Sequence, residues 1–257
     1  MHSKRSNGIT HDALSKVPEL TLVFWLIKIM ATTLGETGGD AVSMSMNLGY
    51  GVSTVIFTAI FIAAVIAQII AHQFHPMTYW ATIVASTTVG TTLADYATRS
   101  LGIGYTGGST LLLALLLGSL FVWKWVMGSV AVADIRSPRS EVFYWVTIMF
   151  SQTLGTALGD WTADTADLGY LGAAAVFGGL LALVVAAYFL TKWSRTTLFW
   201  TAFILTRPLG AVVGDFLDKP LAHGGLALSR YSASAVLTVC ILACVLFLPH
   251  RPSMQNH

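Results

Sequence analysis

Charge is scarce in this chain: 10% of its 257 residues are Asp, Glu, Lys or Arg, while 55% are hydrophobic. A soluble domain carries about 25% charged residues, so this composition argues against an ordinary water-soluble protein and for an integral membrane one. Cysteine is scarcer still. Cys240 and Cys244 sit one helical turn apart, a spacing that does not readily close a disulfide, and two thiols make no metal cage. Packing is their expected role. The seven histidines, His2, His11, His72, His75, His223, His250 and His257, fall in tails, links or turns. No Ser/His pair, phosphate loop or His-x-x-x-His pattern lies at membrane depth, so neither an enzyme nor a bound cofactor is expected, and no nucleic-acid partner. Met1 to Pro18 is polar and lacks the apolar stretch and cleavage site of a removable signal peptide.

What is present is repetition. Phe24-Trp25, Tyr79-Trp80, Tyr144-Trp145 and Phe199-Trp200 each lead to a small-xxx-small-Asp motif. The motifs are Gly35/Gly39 with Asp40, Gly90/Ala94 with Asp95, Gly155/Gly159 with Asp160, and Gly210/Gly214 with Asp215. The Asp follows the Trp by 15 positions every time (Trp25 to Asp40, Trp80 to Asp95, Trp145 to Asp160, Trp200 to Asp215). In the first three copies a Gly-Tyr follows: Gly49-Tyr50, Gly104-Tyr105 and Gly169-Tyr170. One structural unit is therefore used four times.

Each unit also holds an uncharged apolar stretch: Val52 to Ala71, Thr106 to Trp123, Leu168 to Thr191 and Tyr231 to Pro249. About 20 apolar residues span a bilayer, so two spans per repeat and eight in all are expected. The fold class is an all-α membrane protein, its Gly-rich inner helices ringed by apolar outer ones. The polar connector 131–141 separates two halves, 18–130 (repeats one and two) and 142–249 (repeats three and four). Residues 1–17 and 250–257 form tails. Lys4, Arg5, Lys16, Arg136, Arg139, Lys192, Arg195 and Arg251 fall in tails and inter-repeat links; Arg99, Lys219 and Arg230 fall in or near turns within repeats. By the positive-inside rule the tails and the 131–141 linker are cytoplasmic, with the aromatic pairs anchoring at the headgroups.

Four carboxylates at one depth are the main functional candidates. Each costs about 2.5–3.5 kcal/mol at a span centre unless paired, protonated or facing water. Close packing at Gly35, Gly39, Gly90, Gly155, Gly159, Gly210 and Gly214 would gather Asp40, Asp95, Asp160 and Asp215 near one axis, suited to binding a cation or relaying protons. The alternative is that each Asp caps the following turn. Glu36 shares the Asp40 face, and its counterparts are Thr91, Thr156 and Ala211. Lys28, two turns before Glu36, and Arg207, two turns before Asp215, either neutralise these acids or gate the path. Thr32, Thr33, Thr87, Thr88, Gln152 and Thr153 either extend a polar path or bond their own backbones. Glu36, Asp40 and Asp160 are the expected metal ligands, because oxygen-only sites suit Mg²⁺, Mn²⁺ or Ca²⁺. Met44 and Met46 are expected as gap-fillers.

On these motifs the chain, from about Val17 to Pro249, resembles a family of bacterial membrane-anchored proteins built from four short repeats of unknown function. The resemblance implies an architecture and no activity. Glu36-Thr-Gly-Gly-Asp40 is also similar, one residue longer, to the Glu-x-Gly-Asp motif of Gdt1-type cation/proton exchangers, which implies transport of Mn²⁺ or Ca²⁺. The expectation is a proton-coupled transporter of a small inorganic cation, divalent such as Mn²⁺, in the bacterial inner membrane, with the bilayer, the cation and protons as partners. An organic-anion transporter and a non-transporting scaffold or sensor are the alternatives. The oligomeric state is open.

Overall fold

The computed structural model describes residues 15–71 and 73–253. The outer parts of both tails and His2, His11, His72 and His257 lie outside the described residues. Among those described, the chain forms eight long α-helices and one isolated bridge, Pro18 to Pro252. The inner helices are α1 (Leu22–Asp40), α3 (Pro76–Asp95), α5 (Pro138–Asp160) and α7 (Arg195–Asp218). The outer helices are α2 (Gly49–Ile70), α4 (Tyr105–Met127), α6 (Gly169–Leu190) and α8 (Arg230–Phe247). Local chemistry sets the starts. Thr21, Ser137 and Ser194 accept from backbone N–H groups three residues on, and Pro76 and Pro138 occupy first-turn positions where the missing N–H costs nothing. Gly128, at φ 77°, ends α4 in the left-handed conformation.

The inner helices form a closed ring, α1 against α3, α3 against α5, α5 against α7, and α7 back against α1. Glycine makes the closure possible. A Cβ on Gly35 would stand 2.5 Å from the Cβ of Thr87, and one on Gly210 would stand 2.5 Å from the Cβ of Thr32. Gly90 meets Gln152 and Gly155 meets Arg207 in the same way. One contact thus recurs four times, each glycine abutting the residue eight before the Asp of the next repeat.

The outer helices follow a rule that spacing does not reveal. Each rests on the inner helix of the next repeat: α2 on α3, α4 on α5, α6 on α7, and α8 on α1. Polarity is inverted relative to a soluble bundle. Thr37, Thr82, Thr87, Thr91 and Thr156 are fully buried, while Leu117, Phe121, Leu183 and Phe189 are exposed. Five helices, α2, α4, α6, α7 and α8, are long and apolar enough to cross a membrane. The inner helices α1, α3 and α5 carry more polar residues, which they turn onto one another rather than outward.

The aromatic pairs correct an expectation. They do not form a headgroup belt: Phe24, Tyr79, Trp80, Tyr144, Trp145, Phe199 and Trp200 are buried inside the ring. The first ring of each pair meets the Trp of the next repeat, Phe24 with Trp80 at 5.4 Å, Tyr79 with Trp145 at 5.8 Å, Tyr144 with Trp200 at 6.1 Å and Phe199 with Trp25 at 6.0 Å. The result is an aromatic plug across the end that holds the tails. Edge-on and tilted rings of this kind add about 0.5–1.5 kcal/mol per pair beyond area burial. The hydroxyls of Tyr79 and Tyr144 bond each other at 2.7 Å inside it. Tyr79→Phe strands the Tyr144 hydroxyl, so a loss of about 1–3 kcal/mol is expected, read as a lower thermal midpoint. Adding Tyr144→Phe should cost little more.

Chain ends and linker meet beyond the plug. Ser15 and Val17 are buried, although the sequence assigns them to the tail. Ser15 Oγ donates to Val132 O at 2.7 Å, Lys16 Nζ pairs with Glu141 at 2.7 Å, and Ser253 N donates to Val17 O at 2.8 Å.

Candidate ion site at the far end of the ring

Helices α1, α3 and α5 each end on their Asp and pass into a five-residue π-helical turn: Ala41–Ser45, Tyr96–Ser100 and Trp161–Thr165. Such turns are rare and frequent at functional sites. In the fourth repeat α7 runs on to Asp218 instead. None of the π turns is capped by its Asp side chain. Asp40, Asp95, Asp160 and Asp215 are at most 3% exposed and bind cationic side chains.

Three layers stack along the ring axis. Thr32, Thr87, Gln152 and Arg207 come first; one turn on stand Glu36, Thr91, Thr156 and Ala211; the four Asp follow. Arg207 is fully buried. Its Nη2 donates to Glu36 Oε2 at 3.1 Å, to Thr91 Oγ1 at 2.6 Å and to Thr156 Oγ1. Two helical turns, about 11 Å, separate Arg207 from Asp215 on its own helix. The neighbouring helix offers a nearer acid, so Arg207 neutralises Glu36 and not Asp215.

Lys28 also departs from expectation. It makes no ion pair with Glu36; its ammonium lies 4.2 Å from the Phe203 ring centroid and has no hydrogen-bond partner among the described residues. The reason is again distance along the helix, together with Arg207 already occupying Glu36. Cation–π attraction, worth about 2 kcal/mol or more when desolvated, is its visible compensation.

The Asp layer is held by residues that the sequence places in turns. Arg99 bridges Asp95 (2.9 Å) and Asp160 (3.1 Å). Lys219 bridges Asp40 (2.6 Å) and Asp215 (2.9 Å). Arg230 bonds Asp218 at 2.8 Å and lies 3.8 Å from Asp40. Lys219 stands just past the end of α7. Burial alone would lower the pKa of its ammonium, but Asp215, Asp40 and Asp218 outweigh that and hold it well above the ordinary value. The i,i+4 spacings Asp95/Arg99 and Asp215/Lys219 are a legible signal for both cations.

Carboxylate oxygens gather into sets that could hold a metal, each within 4.8 Å: Glu36 with Asp160 and Asp215, Glu36 with Asp40 and Asp95, and Asp40 with Asp215 and Asp218. Glu36 is thus shared between opposite sides of the ring. Asp40 and Asp160, named together as ligands from sequence, fall in different sets among the described residues. Thr33, Thr88 and Thr153 bond their own helices, to Ile29 O (3.0 Å), Val84 O (2.9 Å) and Met149 O (2.9 Å). Thr32 and Thr87 also reach across, to Thr206 O (3.3 Å) and Ala31 O (3.1 Å). Gln152 donates to Ser86 Oγ at 3.5 Å, and its Oε1 is buried without a partner among the described residues.

One helix pair with the same glycine contact and Asp thus recurs four times along the chain, the Asp ending the inner helix in the first three. The chain belongs to the Repeat of Unknown Function (DUF347) family. Its pattern matches four times, at residues 23–74, 78–129, 143–194 and 198–250. No curated protein and no solved structure matches the chain. Each DUF347 unit is one inner helix and the outer helix after it. The charges near the axis, by contrast, differ from unit to unit: Glu36 is unique to the first and Arg207 to the fourth, and a cation four positions after the Asp, Arg99 or Lys219, occurs only in the second and fourth.

Proposed function

We propose that the chain crosses the bacterial inner membrane eight times, with both termini cytoplasmic, and transports a small inorganic cation through the carboxylate ring. A divalent ion such as Mn²⁺ is the favoured cargo, with protons as the coupled species. One observation carries this reading. Six buried acids, Glu36, Asp40, Asp95, Asp160, Asp215 and Asp218, face four cations that reach them, Arg99, Arg207, Lys219 and Arg230. Six against four leaves two acids with no cation that reaches them, in a low-dielectric enclosure where an uncompensated charge is very costly, so each must hold a proton or share a bound cation. A bound divalent cation would balance them.

Other features are consistent with that role. The oxygen-only donor sets suit hard cations. The outer helices present apolar surface around the whole bundle. Lys16 and Arg251 lie at the tail end, beyond the aromatic plug, whereas Arg99, Lys219 and Arg230 at the opposite end are engaged by acids. Counting basic residues alone, Lys16, Arg136, Arg139, Lys192, Arg195 and Arg251 at the tail end outnumber the three at the other end, which favours a cytoplasmic location for the tail end. An anionic cargo fits less well, because Arg207 already serves Glu36. The aromatic plug on one side and the Arg99 and Lys219 bridges on the other describe a closed state. Transport requires each to open in turn.

The test is Mn²⁺ uptake into proteoliposomes under a pH gradient. Wild type should accumulate Mn²⁺, and Asp40→Asn with Asp160→Asn should cut the rate about tenfold or more, equivalent to 1.4 kcal/mol of lost stabilisation. Equal uptake by folded wild type and variant would overturn the reading.

A further inference from the structure

We infer that Arg99 and Lys219 are tethered competitor cations that make the ring accept a divalent ion and refuse a monovalent one. The inference rests on the ring being a cation site. Both residues stand four positions after an Asp, and only in repeats two and four; the corresponding positions in repeats one and three are Met44 and Asp164. Each bridges acids of two adjacent repeats, so the Asp layer divides into one half under Lys219 and another under Arg99.

Exposure orders the layers. The side chains of Arg99 and Lys219 are 32% and 12% exposed, whereas the Asp side chains they bridge are 2–4% exposed. An ion arriving from that end meets the tethered cations first and the acids behind them. Both stand at the rim rather than within an inner α-helix: Arg99 in the π turn after α3, and Lys219 one residue past α7. Arg207, fully buried two layers deeper, has no such route to solvent.

Behind the Arg99 bridge is an oxygen without a partner. Asp160 uses Oδ2 for Arg99, while its Oδ1 is buried with no hydrogen bond among the described residues. Asp160 also belongs to the set with Glu36 and Asp215, whose oxygens converge within 4.8 Å. Buried oxygens normally have a partner, so one left over in a converging set points to a ligand.

Selectivity follows from competition. A tethered group acts at an effective concentration of about millimolar or more. A free monovalent ion carries no more charge than the ammonium or guanidinium it must displace, and it loses that advantage of tethering. A divalent ion doubles the attraction to the same acids. The displaced side chain then moves into solvent that it already touches.

The experiment is calorimetric titration of purified full-length protein with MnCl₂ and with KCl. In wild type, Mn²⁺ should bind, and excess K⁺ should displace it no more than N-methylglucamine at equal ionic strength. Arg99→Gln and Lys219→Gln should each tighten Mn²⁺ by about tenfold or more and bring K⁺ binding into range, while Arg99→Lys stays near wild type. Gln variants that bind Mn²⁺ no more tightly, with wild-type binding still lost in Asp160→Asn, overturn the inference and leave the cation site standing. Specific displacement by K⁺ in wild type overturns it without any variant. If neither wild type nor any variant binds Mn²⁺ or K⁺, the cation site itself is refuted, and the inference with it.

Discussion

Replacing Arg207 with Met is expected to remove most of the folded protein, and adding Glu36→Met is expected to restore it. Arg207 is fully buried and meets Glu36 at 3.1 Å. Removing one member of a buried pair leaves a bare charge and costs about 3–5 kcal/mol. Total stabilities are commonly about 5–15 kcal/mol, so that loss takes a large share. Replacing both members with apolar groups of similar volume is often neutral or stabilising. Thermal midpoint and the monodisperse fraction on size exclusion are the readouts. Arg207→Met with a wild-type midpoint would show that Glu36 is not held by this pair. Arg207→Lys is expected to fall between, because an ammonium cannot match the fork that serves Glu36, Thr91 and Thr156. The double variant should fold without transporting, since its deepest carboxylate is gone.

Gly155→Ala should have the next largest effect. The added Cβ would stand 2.5 Å from the Cβ of Arg207 and 3.0 Å from Cδ of Pro208. Both atoms sit close to the α7 backbone, so α5 and α7 must separate to admit it. Overpacking usually costs about 1–3 kcal/mol and occasionally more; here the upper part of that range is expected, because the contact is one link of a closed ring. Gly178→Ala is the control. Nothing lies within 4 Å of a Cβ at Gly178, and it is inside α6. Alanine is better than glycine in a helix by about 1 kcal/mol, so Gly178→Ala should match or exceed wild-type stability. Equal midpoints for the two variants would contradict the ring geometry.

Periodicity carried the architecture. Four Trp-to-Asp registers identify four helix pairs, and the small-xxx-small motifs identify which helix of each pair meets its like. What periodicity cannot carry is lateral order, because nothing along the chain states that α2 lies on α3. Glu36 and Arg207 are 171 positions apart and meet only because the fourth inner helix returns to the first. Each therefore looks, in sequence, like a partner for the nearest charge on its own helix. Arg99 and Lys219 show the opposite case. Their spacing to Asp95 and Asp215 is visible, but two basic residues close to turns read equally well as topology markers. Their second bonds, to Asp160 and Asp40, depend on the closed ring. The aromatic pairs misled for a physical reason as well: Trp and Tyr suit both a membrane interface and a dry core, and only the neighbouring helix decides between them.

The docking of α8 on α1 has a consequence for biogenesis. Every other inner helix receives its cover from the repeat made just before it, whereas α1 waits for α8, made after the other seven helices. Until then the first repeat has one flank open, and until α7 is made Glu36 lacks its guanidinium. Nascent chains halted before the fourth repeat should thus be the natural clients of membrane chaperones and quality-control proteases. Two separately made halves, 18–130 and 142–249, should close the same circle by trading their terminal helices, α4 onto α5 and α8 onto α1.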